Sequence, residues 1–511
     1  MNTKMVELFR NRFGGHFLFW GFLLFFSLIL IPQSGFAQKS KKTETPAGAN
    51  LRFEVATAPD SIVYLVFHFR DKLMLKDSTK ALKKGVFVFS SEKPYQEGLY
   101  MLVSQSKKPY LNFIMTENQN FTMRCDTTND PMKISIEGSP ENDEMLLFER
   151  KGTESRKLMK ELKEKQTKYE KDKNNKKVEE CKAQIKALDS VMNAFIWELI
   201  DRNPDYLFSK LQKAYQQIEI PEPPVREDGT IDSNFKFSYY LNHYFDNIDL
   251  TDRRLLYTPV IEPKVNEYFM KTLYYQPSDT ICKYVDMVLS KAEPDSVFYR
   301  FMLEWISYRF ESSKVIGHDA VFVHIAKNNQ LSGKAKWMEE DLIKKYEKRV
   351  KNLEPVLIGK IAPEIIMPDT TQTDDYRKWK SSYRMSKPYV ILWFYDPDCP
   401  TCNKETSNLK RVYDSLETAG TRNFDVYGVS ADDDIARWKK YLKEKQVKWI
   451  NVGGMKANID YMHAFNIYES GTPSMFIFDN ETKEIILNRR IDMNNIPEFL
   501  KQYERKFKLK Q

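Results

Sequence analysis

The chain has 511 residues, of which 42% are hydrophobic and 29% are charged, and its formal net charge is +8. At roughly 100–200 residues per domain this length predicts about three domains, and the balance of apolar and charged residues excludes a largely disordered chain. Lysines and acidic residues alternate without a sustained basic stripe, so the positive charge indicates a solvated surface and we expect no nucleic-acid partner.

The first 37 residues have the pattern of an export signal. Basic residues precede an almost wholly apolar run at 17–31, and Gly-Phe-Ala at 35–37 offers small residues at the two positions that a signal peptidase requires. The apolar run is shorter than the ~20 residues that a membrane-spanning helix needs. We therefore predict a signal peptide at 1–37 and a periplasmic, cell-envelope location. Membrane contact is expected only if the segment remains uncleaved as an inner-membrane anchor.

A polar linker at 38–50 leads into a region of short apolar runs with a period of two. Such runs, separated by turn residues that include Asp77 and Ser78, continue over 51–138 and predict a small β-sandwich or barrel. No group in this region suggests catalysis, so we expect a binding or spacer module. The clearest predicted strands are 62–67, 86–89, 99–103, 111–114 and 134–136.

Helical periodicity dominates residues 139–355. Apolar residues spaced alternately three and four apart predict a long helix with a heptad seam. The polar run at 171–177 before this seam fits two structures, the turn of an antiparallel helical hairpin or a continuous helix. Prolines at 220–224 interrupt the pattern, and aromatic-rich helices resume after them. The seam consists of Val178, Cys181, Ile185, Leu188, Met192, Phe195 and Leu199.

Residues 356–511 alternate between strands and longer helices. Tyr389 to Tyr395 is an unbroken apolar and aromatic run, as in a strand buried on both faces, and a helix can begin at Pro400. Further predicted elements are strands at 424–429, 475–478 and 484–487 and helices at 435–445 and 494–507. This order implies an α/β fold with a central sheet. The predicted fold class is thus multi-domain, with a small all-β domain, an α-helical middle domain and a C-terminal α/β domain.

Two cysteines stand three apart where the buried strand gives way to a helix, in Cys399-Pro400-Thr401-Cys402. At a helix N-terminus the first sulfur faces free N–H groups and the positive end of the helix dipole, which lowers its pKa. Pro400 suits a first helical turn. We predict that Cys399 attacks a disulfide and that Cys402, one turn inside the helix, resolves the mixed disulfide. No cofactor is expected beyond a redox-active Cys399–Cys402 disulfide.

The same spacing also occurs in structural zinc sites, which usually need four ligands. The other cysteines, Cys125, Cys181 and Cys282, stand alone, with no second pair. The pattern therefore favours a dithiol over a metal site. We expect Cys181 to be a small core residue of the seam, and none of the three to be needed for exchange.

Residues 359–511 resemble the thioredoxin superfamily, in particular its exported branch that includes the cytochrome-maturation reductases. The resemblance implies a thioredoxin fold in which Pro473 is cis and packs beside the dithiol, while Thr472 offers backbone hydrogen bonds to the substrate chain. The whole chain also resembles a multi-domain version with an N-terminal β domain and a helical domain of unknown function. The matching stretches of the C-terminal part are 359–363, 393–402, 427–430 and 471–473.

Two positions depart from the family pattern. Asp398 stands where many members keep an aromatic residue, and Trp393 stands where some keep a buried acid or amide that relays the proton of the resolving thiol. The carboxylates of Asp396 and Asp398 oppose formation of a thiolate at Cys399, although either could instead accept the Cys402 proton. Because the nearest cation in sequence is Lys404, we expect a reductase or isomerase rather than an oxidase. Protein thiols or disulfides would be its substrates, and a membrane protein its electron donor.

The sequence leaves two other functions open. A peroxidase of the peroxiredoxin type needs a threonine three positions before its reactive cysteine, and Asp396 occupies that position for Cys399. A non-enzymatic envelope adaptor with a vestigial thioredoxin domain is the stronger alternative, because two-thirds of the chain carries no catalytic signal.

Overall fold

The computed structural model describes residues 48–454 and 456–508. The predicted signal peptide at 1–37 and most of the linker lie outside the described residues. The chain divides between Leu146 and Leu147 into two compact units. Within the described part, no helix combines the length and the apolar character that a membrane crossing requires.

The N-terminal unit contains one eight-stranded sheet in the order β6-β5-β2-β3-β4-β1-β7-β8. All neighbouring strands are antiparallel except β1 and β7, which are parallel. The expectation that Asp77 and Ser78 form a turn is wrong, because both lie within β3, where they pair with Leu65 and Tyr64 of β2. The strands are β1 (Ala49–Val55), β2 (Ile62–Phe69), β3 (Lys72–Lys83), β4 (Val86–Ser91), β5 (Gly98–Ser104), β6 (Pro109–Met115), β7 (Asn120–Cys125) and β8 (Ser135–Glu137).

This sheet folds back on itself around an aromatic core. Phe53 of β1 and Phe113 of β6 are far apart in the strand order, yet their ring centroids are 5.3 Å apart. Phe113 also contacts Phe121 of β7, at 5.9 Å. Rings from opposite ends of the sheet can meet only if the sheet curls over them, which is why alternate residues of these strands are buried.

A helical region follows. The polar run at 171–177 interrupts the helix rather than continuing it, because the first helix ends at Lys171 and the second begins at Asn175, where the side chain of Asn174 accepts a hydrogen bond from the N–H of Lys177 at 3.2 Å. The helices are α1 (Pro140–Lys171), α2 (Asn175–Arg202), α3 (Leu207–Tyr215), α4 (Phe235–His243), α5 (Ile261–Glu267), α6 (Ser278–Ala292), α7 (Ser296–Glu311), α8 (His318–Ile325) and α9 (Glu340–Leu353).

The C-terminal region is built on a five-stranded sheet in the order β13-β12-β11-β14-β15. β11 is central, and all seven of its residues are buried because apolar clusters cover both faces of the sheet. The strands are β9 (Ile366–Met367), β10 (Lys380–Ser381), β11 (Tyr389–Tyr395), β12 (Phe424–Ser430), β13 (Ile450–Val452), β14 (Ser474–Asp479) and β15 (Ile485–Leu487). The helices are α10 (Pro400–Thr418), α11 (Ile435–Lys445), α12 (Tyr461–Ala464), α13 (Ile467–Ser470) and α14 (Ile496–Tyr503). The predicted fold class is confirmed.

Candidate active site

The Cys-Pro-Thr-Cys segment lies at the junction between the central strand and the helix that follows it. β11 ends at Tyr395, and Cys399 caps α10, which begins at Pro400. The Cys399 Sγ accepts a hydrogen bond from the backbone N–H of Cys402 at 3.3 Å, so the sulfur takes the place of a capping oxygen. Pro400 fits here because an N–H at this position would have no helical partner. The positive end of the helix dipole therefore faces Cys399.

The two sulfurs differ in exposure. Cys402 is fully buried, whereas Cys399 is half-buried and is followed by the exposed residues Pro400 and Thr401. Burial raises the pKa of the Cys402 thiol to about 12, although a hydrogen bond from the backbone N–H of Asp396, at 3.5 Å, acts in the opposite direction. Both cysteines are free thiols in this structure. Cys399 is thus the sulfur that an external disulfide can reach, and Cys402 keeps its proton at neutral pH.

The loop before β14 lies against the dithiol. The peptide bond between Thr472 and Pro473 is cis, as the sequence predicted, and the Cys399 thiol lies 3.9 Å from the Thr472 carbonyl oxygen. The sheet explains this proximity: β14 runs antiparallel to β11 and pairs Ser474 with Phe394, so the residues before β14 arrive where β11 ends. The backbone of Thr472 therefore lies beside Cys399.

The two acids beside Cys399 have different surroundings. The Asp396 carboxylate accepts a hydrogen bond from the N–H of Asp398 at 2.8 Å. The backbone carbonyl oxygen of Asp396 accepts another from the N–H of Cys399 at 3.2 Å. The Asp398 carboxylate pairs with Arg437 at 2.7 Å. Lys404 is the nearest cation in sequence, but Arg437 is the one that pairs with Asp398, because α11 brings it from a distant part of the sequence.

Trp393 stands at the position where some thioredoxin-like proteins keep a buried acid or amide that relays a proton. Its side chain is fully buried, and its indole N–H donates to the hydroxyl of Thr406 at 3.0 Å. Thr406 is itself buried and lies one helical turn after Cys402 on α10. The Thr406 hydroxyl thus lies behind Cys402, next to the tryptophan that stands in place of the acid. The sequence analysis did not single out Thr406.

One face of α11 lies along the start of α10. Arg437 contacts Asp398, and Lys445 donates from Nζ to the carbonyl oxygen of Asn403 at 2.9 Å. Tyr441 lies between these two cations, at spacings of four residues on each side. The regular spacing is visible in the sequence, but only the packing shows which helix it contacts.

A residue just before the Thr472 loop is held by the helical region. Glu469 of α13 accepts hydrogen bonds from Arg349 at 2.8 Å and from Asn352 at 2.9 Å, both at the end of α9. A second link joins Asn488, which follows β15, to Asp319 of α8. The two hydrogen bonds of Glu469 hold α13 against the end of α9, directly before the loop.

Three family models match separate parts of the chain. Residues 50–145 match a domain of unknown function, DUF4369, and residues 160–352 match another, DUF5106. Residues 358–485 match the AhpC/TSA family. The C-terminal part of this chain is a thioredoxin-like domain. Its central β11, the dithiol at the start of α10 and the cis-proline loop before β14 all lie within the matched residues.

Solved structures with the same kind of domain are similar to this chain. A thioredoxin-like protein from Bacteroides caccae is 16% identical, with a TM-score of 0.41, over 56% of this chain and 100% of the other. A domain of a "possible thiol-disulfide isomerase" from Cytophaga hutchinsonii is 32% identical, with a TM-score of 0.26, over 30% and 98%. The thioredoxin domain of a thiol-disulfide oxidoreductase from Bacteroides vulgatus is 24% identical, with a TM-score of 0.24, over 29% and 96%. No curated protein matches the chain.

The remaining cysteines lie outside the thioredoxin-like domain. Cys125 and Cys181 are buried, on β7 and α2, and Cys282 is partly buried on α6. Burial raises the pKa of Cys125 and of Cys282 to about 12, which makes both poor nucleophiles. In the described ranges, no three His, Cys, Asp or Glu side chains converge in a way that could hold a metal ion.

Proposed function

We propose that the thioredoxin-like domain catalyses thiol–disulfide exchange through Cys399 and Cys402. The observation that carries this proposal is the asymmetry of the dithiol. Cys399 is accessible and receives a backbone N–H at 3.3 Å, whereas Cys402 is sealed behind it in the core. An attacking thiol needs access and a stabilised thiolate, while a resolving thiol must reach only its partner sulfur.

The exchange proceeds in two displacements. The Cys399 thiolate attacks one sulfur of a substrate disulfide and forms a new S–S bond, and the other substrate sulfur leaves with the electron pair and takes up a proton. Cys402 then loses its proton and attacks Cys399, which forms the Cys399–Cys402 disulfide and releases the second substrate sulfur as a thiol. The substrate gains two electrons that the dithiol loses. In the bound state the substrate chain lies against the Thr472 backbone and Pro473.

We propose that the domain works as a reductase or isomerase rather than as an oxidase. A strong oxidant needs a reduced form that is stabilised by a thiolate at the attacking cysteine, and the Asp398 carboxylate, one residue before Cys399, opposes that thiolate. Arg437 is shared between Asp398 and Asp432, and its contact with Asp398 is solvent-exposed, so it adds little stabilisation to a Cys399 thiolate. We expect a reduction potential of roughly −200 to −270 mV. Sustained reduction of protein substrates then requires an electron donor, which we propose to be a membrane protein.

We propose that this chemistry takes place in the cell envelope. The support is the export pattern of residues 1–37, with its basic start, apolar run and small residues at the end. Fractionation of cells that express the full chain tests this location, and a chain that stays in the cytosol would contradict it.

An insulin-reduction assay with the full chain tests the function. We expect turnover that Cys399→Ala abolishes, and Cys402→Ala should accumulate mixed disulfides between Cys399 and protein partners. A variant with Cys125, Cys181 and Cys282 all changed to Ala should retain turnover if it folds.

Three results would contradict the proposal. Binding of a partner with no turnover would favour an adaptor. Consumption of peroxide at Cys399 would favour a peroxidase, although Asp396 stands where such enzymes need threonine. A potential near −120 mV after equilibration with glutathione buffers, typical of strong oxidants, would overturn the direction of electron flow.

A further inference from the structure

The face of α11 that lies along α10 carries one polar group that the exchange mechanism leaves unused. Arg437 and Lys445 of this face contact Asp398 and Asn403, on either side of the dithiol. Because residues four apart share one side of a helix, Tyr441 faces the same part of α10 between them. Tyr441 and Cys402 belong to the same buried cluster of the thioredoxin-like domain.

The side chain of Tyr441 is held rigidly. It is 4% exposed, and its ring stacks on that of Tyr395, with centroids 5.2 Å apart and planes 21° apart. The Nζ of Lys445 lies over the same ring, 5.7 Å from its centroid. The hydroxyl therefore has a fixed position. A substitution to phenylalanine removes this hydroxyl and keeps the ring.

The hydroxyl of Tyr441 has no hydrogen-bond partner of normal length and angle among the residues that the structure describes. Buried hydroxyls are usually paired, so an unpaired one suggests a partner that forms only in another state of the protein. The Thr406 side chain acts to lower the pKa of Tyr441, whereas Cys402 and Cys399 act to raise it. Burial raises the pKa of Tyr441 to about 12, so the group remains a proton donor at neutral pH.

We propose that Tyr441 is a positioning residue for the resolving step, whose hydroxyl acts with Thr406 to stabilise the Cys402 thiolate as it attacks Cys399. The inference rests on the proposed exchange function. During resolution, the Cys402 proton passes to water or to the departing substrate sulfur, and Tyr441 keeps its own proton. The hydroxyl dipole is thus fixed in advance where negative charge develops, in a buried site.

Kinetics of a single turnover test the proposal with Tyr441→Phe in the full chain. Attack by Cys399, followed as release of the first substrate thiol, should keep its rate. Resolution, followed as release of the second thiol, should become about tenfold slower, which corresponds to one pKa unit. A plot of the logarithm of the resolution rate against pH should shift by about one pH unit to higher pH. Tyr413→Phe, in the same core but farther along α10, should match the wild type.

A second measurement separates this role from packing. In a Cys399→Ser background, Tyr441→Phe should slow alkylation of Cys402, because less thiolate forms. A loosened core would accelerate alkylation, because the thiol would become exposed. An unchanged resolution rate, or faster alkylation, would overturn the proposal. Absence of any Cys399-dependent turnover in the wild type would instead refute the exchange function, and the alkylation experiment does not depend on turnover.

Discussion

The two sides of the dithiol carry different kinds of polar group in opposite environments. In front of Cys399, the Asp398–Arg437 pair is solvent-exposed. Behind Cys402, Trp393, Thr406 and Tyr441 are sealed in the core. Polar interactions weaken in water and with salt, and strengthen in a dry interior. From this difference we expect the groups behind Cys402 to have the larger effect on the proposed exchange, and those in front of Cys399 to act mainly on access.

The largest expected difference is between the two sulfurs themselves. In the reduced native protein, a small alkylating agent should modify Cys399 first and Cys402 roughly a hundredfold or more slowly, because Cys402 is buried and its pKa is raised to about 12. Mass spectrometry of timed samples measures both rates. The unfolded chain is the control, in which the two rates should become similar. Faster labelling of Cys402 in the native protein would reverse the assigned roles.

Replacement of a buried tryptophan tests the groups behind Cys402. Trp393→Phe removes the hydrogen bond to Thr406 and leaves a small cavity, so the free energy of unfolding should fall by about 2 kcal/mol. Trp379→Phe is a matched control, because its indole N–H also donates one hydrogen bond, to the Thr373 carbonyl at 2.8 Å, from a partly exposed position. Denaturant unfolding measures the free energy of unfolding of both variants. Equal losses of stability would contradict the difference between the buried and the exposed side.

The buried thiol also predicts a dependence of stability on pH. The pKa of Cys402 is raised from 9.0 to about 12 in the folded protein. Between these values the unfolded chain loses the proton while the folded protein keeps it, so stability falls as pH rises. Cys402→Ala should make this fall less steep by about 1.4 kcal/mol per pH unit above pH 9. Unfolding curves measured from pH 8 upward test it, and an unchanged slope would show that Cys402 is not protonated in the folded protein.

The smallest effect is expected at the front. Arg437→Ala leaves Asp398 unpaired beside Cys399, which should destabilise its thiolate and make the reduction potential more negative, by less than about 20 mV. High salt should abolish the shift. Lys440→Ala, on the same helix in an exposed pair with Glu444, should have no effect. A large shift that persists in high salt would place the control of the potential in front of Cys399 rather than behind Cys402.

The sequence predicted the local features of this site. Tyr389–Tyr395 are all apolar or aromatic because the strand is covered on both faces, and the dithiol follows at once, so strand, helix start and sulfurs could be located together. The cis-proline loop could be placed because its motif precedes a strand. These features depend on neighbours in the chain, which a pattern records.

Features that depend on distant contacts were missed. Asp77 and Ser78 resemble a turn, but pairing with β2 holds them in a strand. The three-residue strand β13 is too short for a period to be recognised. The contact of Arg437 with Asp398 and the position of Tyr441 follow from the packing of α11 on α10, which no local pattern contains.

The carboxylate of Glu469 bears on how the thioredoxin-like domain should be produced in isolation. It is held by Arg349 and Asn352, and the chain enters the Thr472 loop three residues after it. A fragment that begins at residue 358, where the AhpC/TSA similarity starts, would keep both cysteines but lose the partners of Glu469. A fragment for crystallisation or inhibitor screening should therefore extend back to the start of α9 at Glu340.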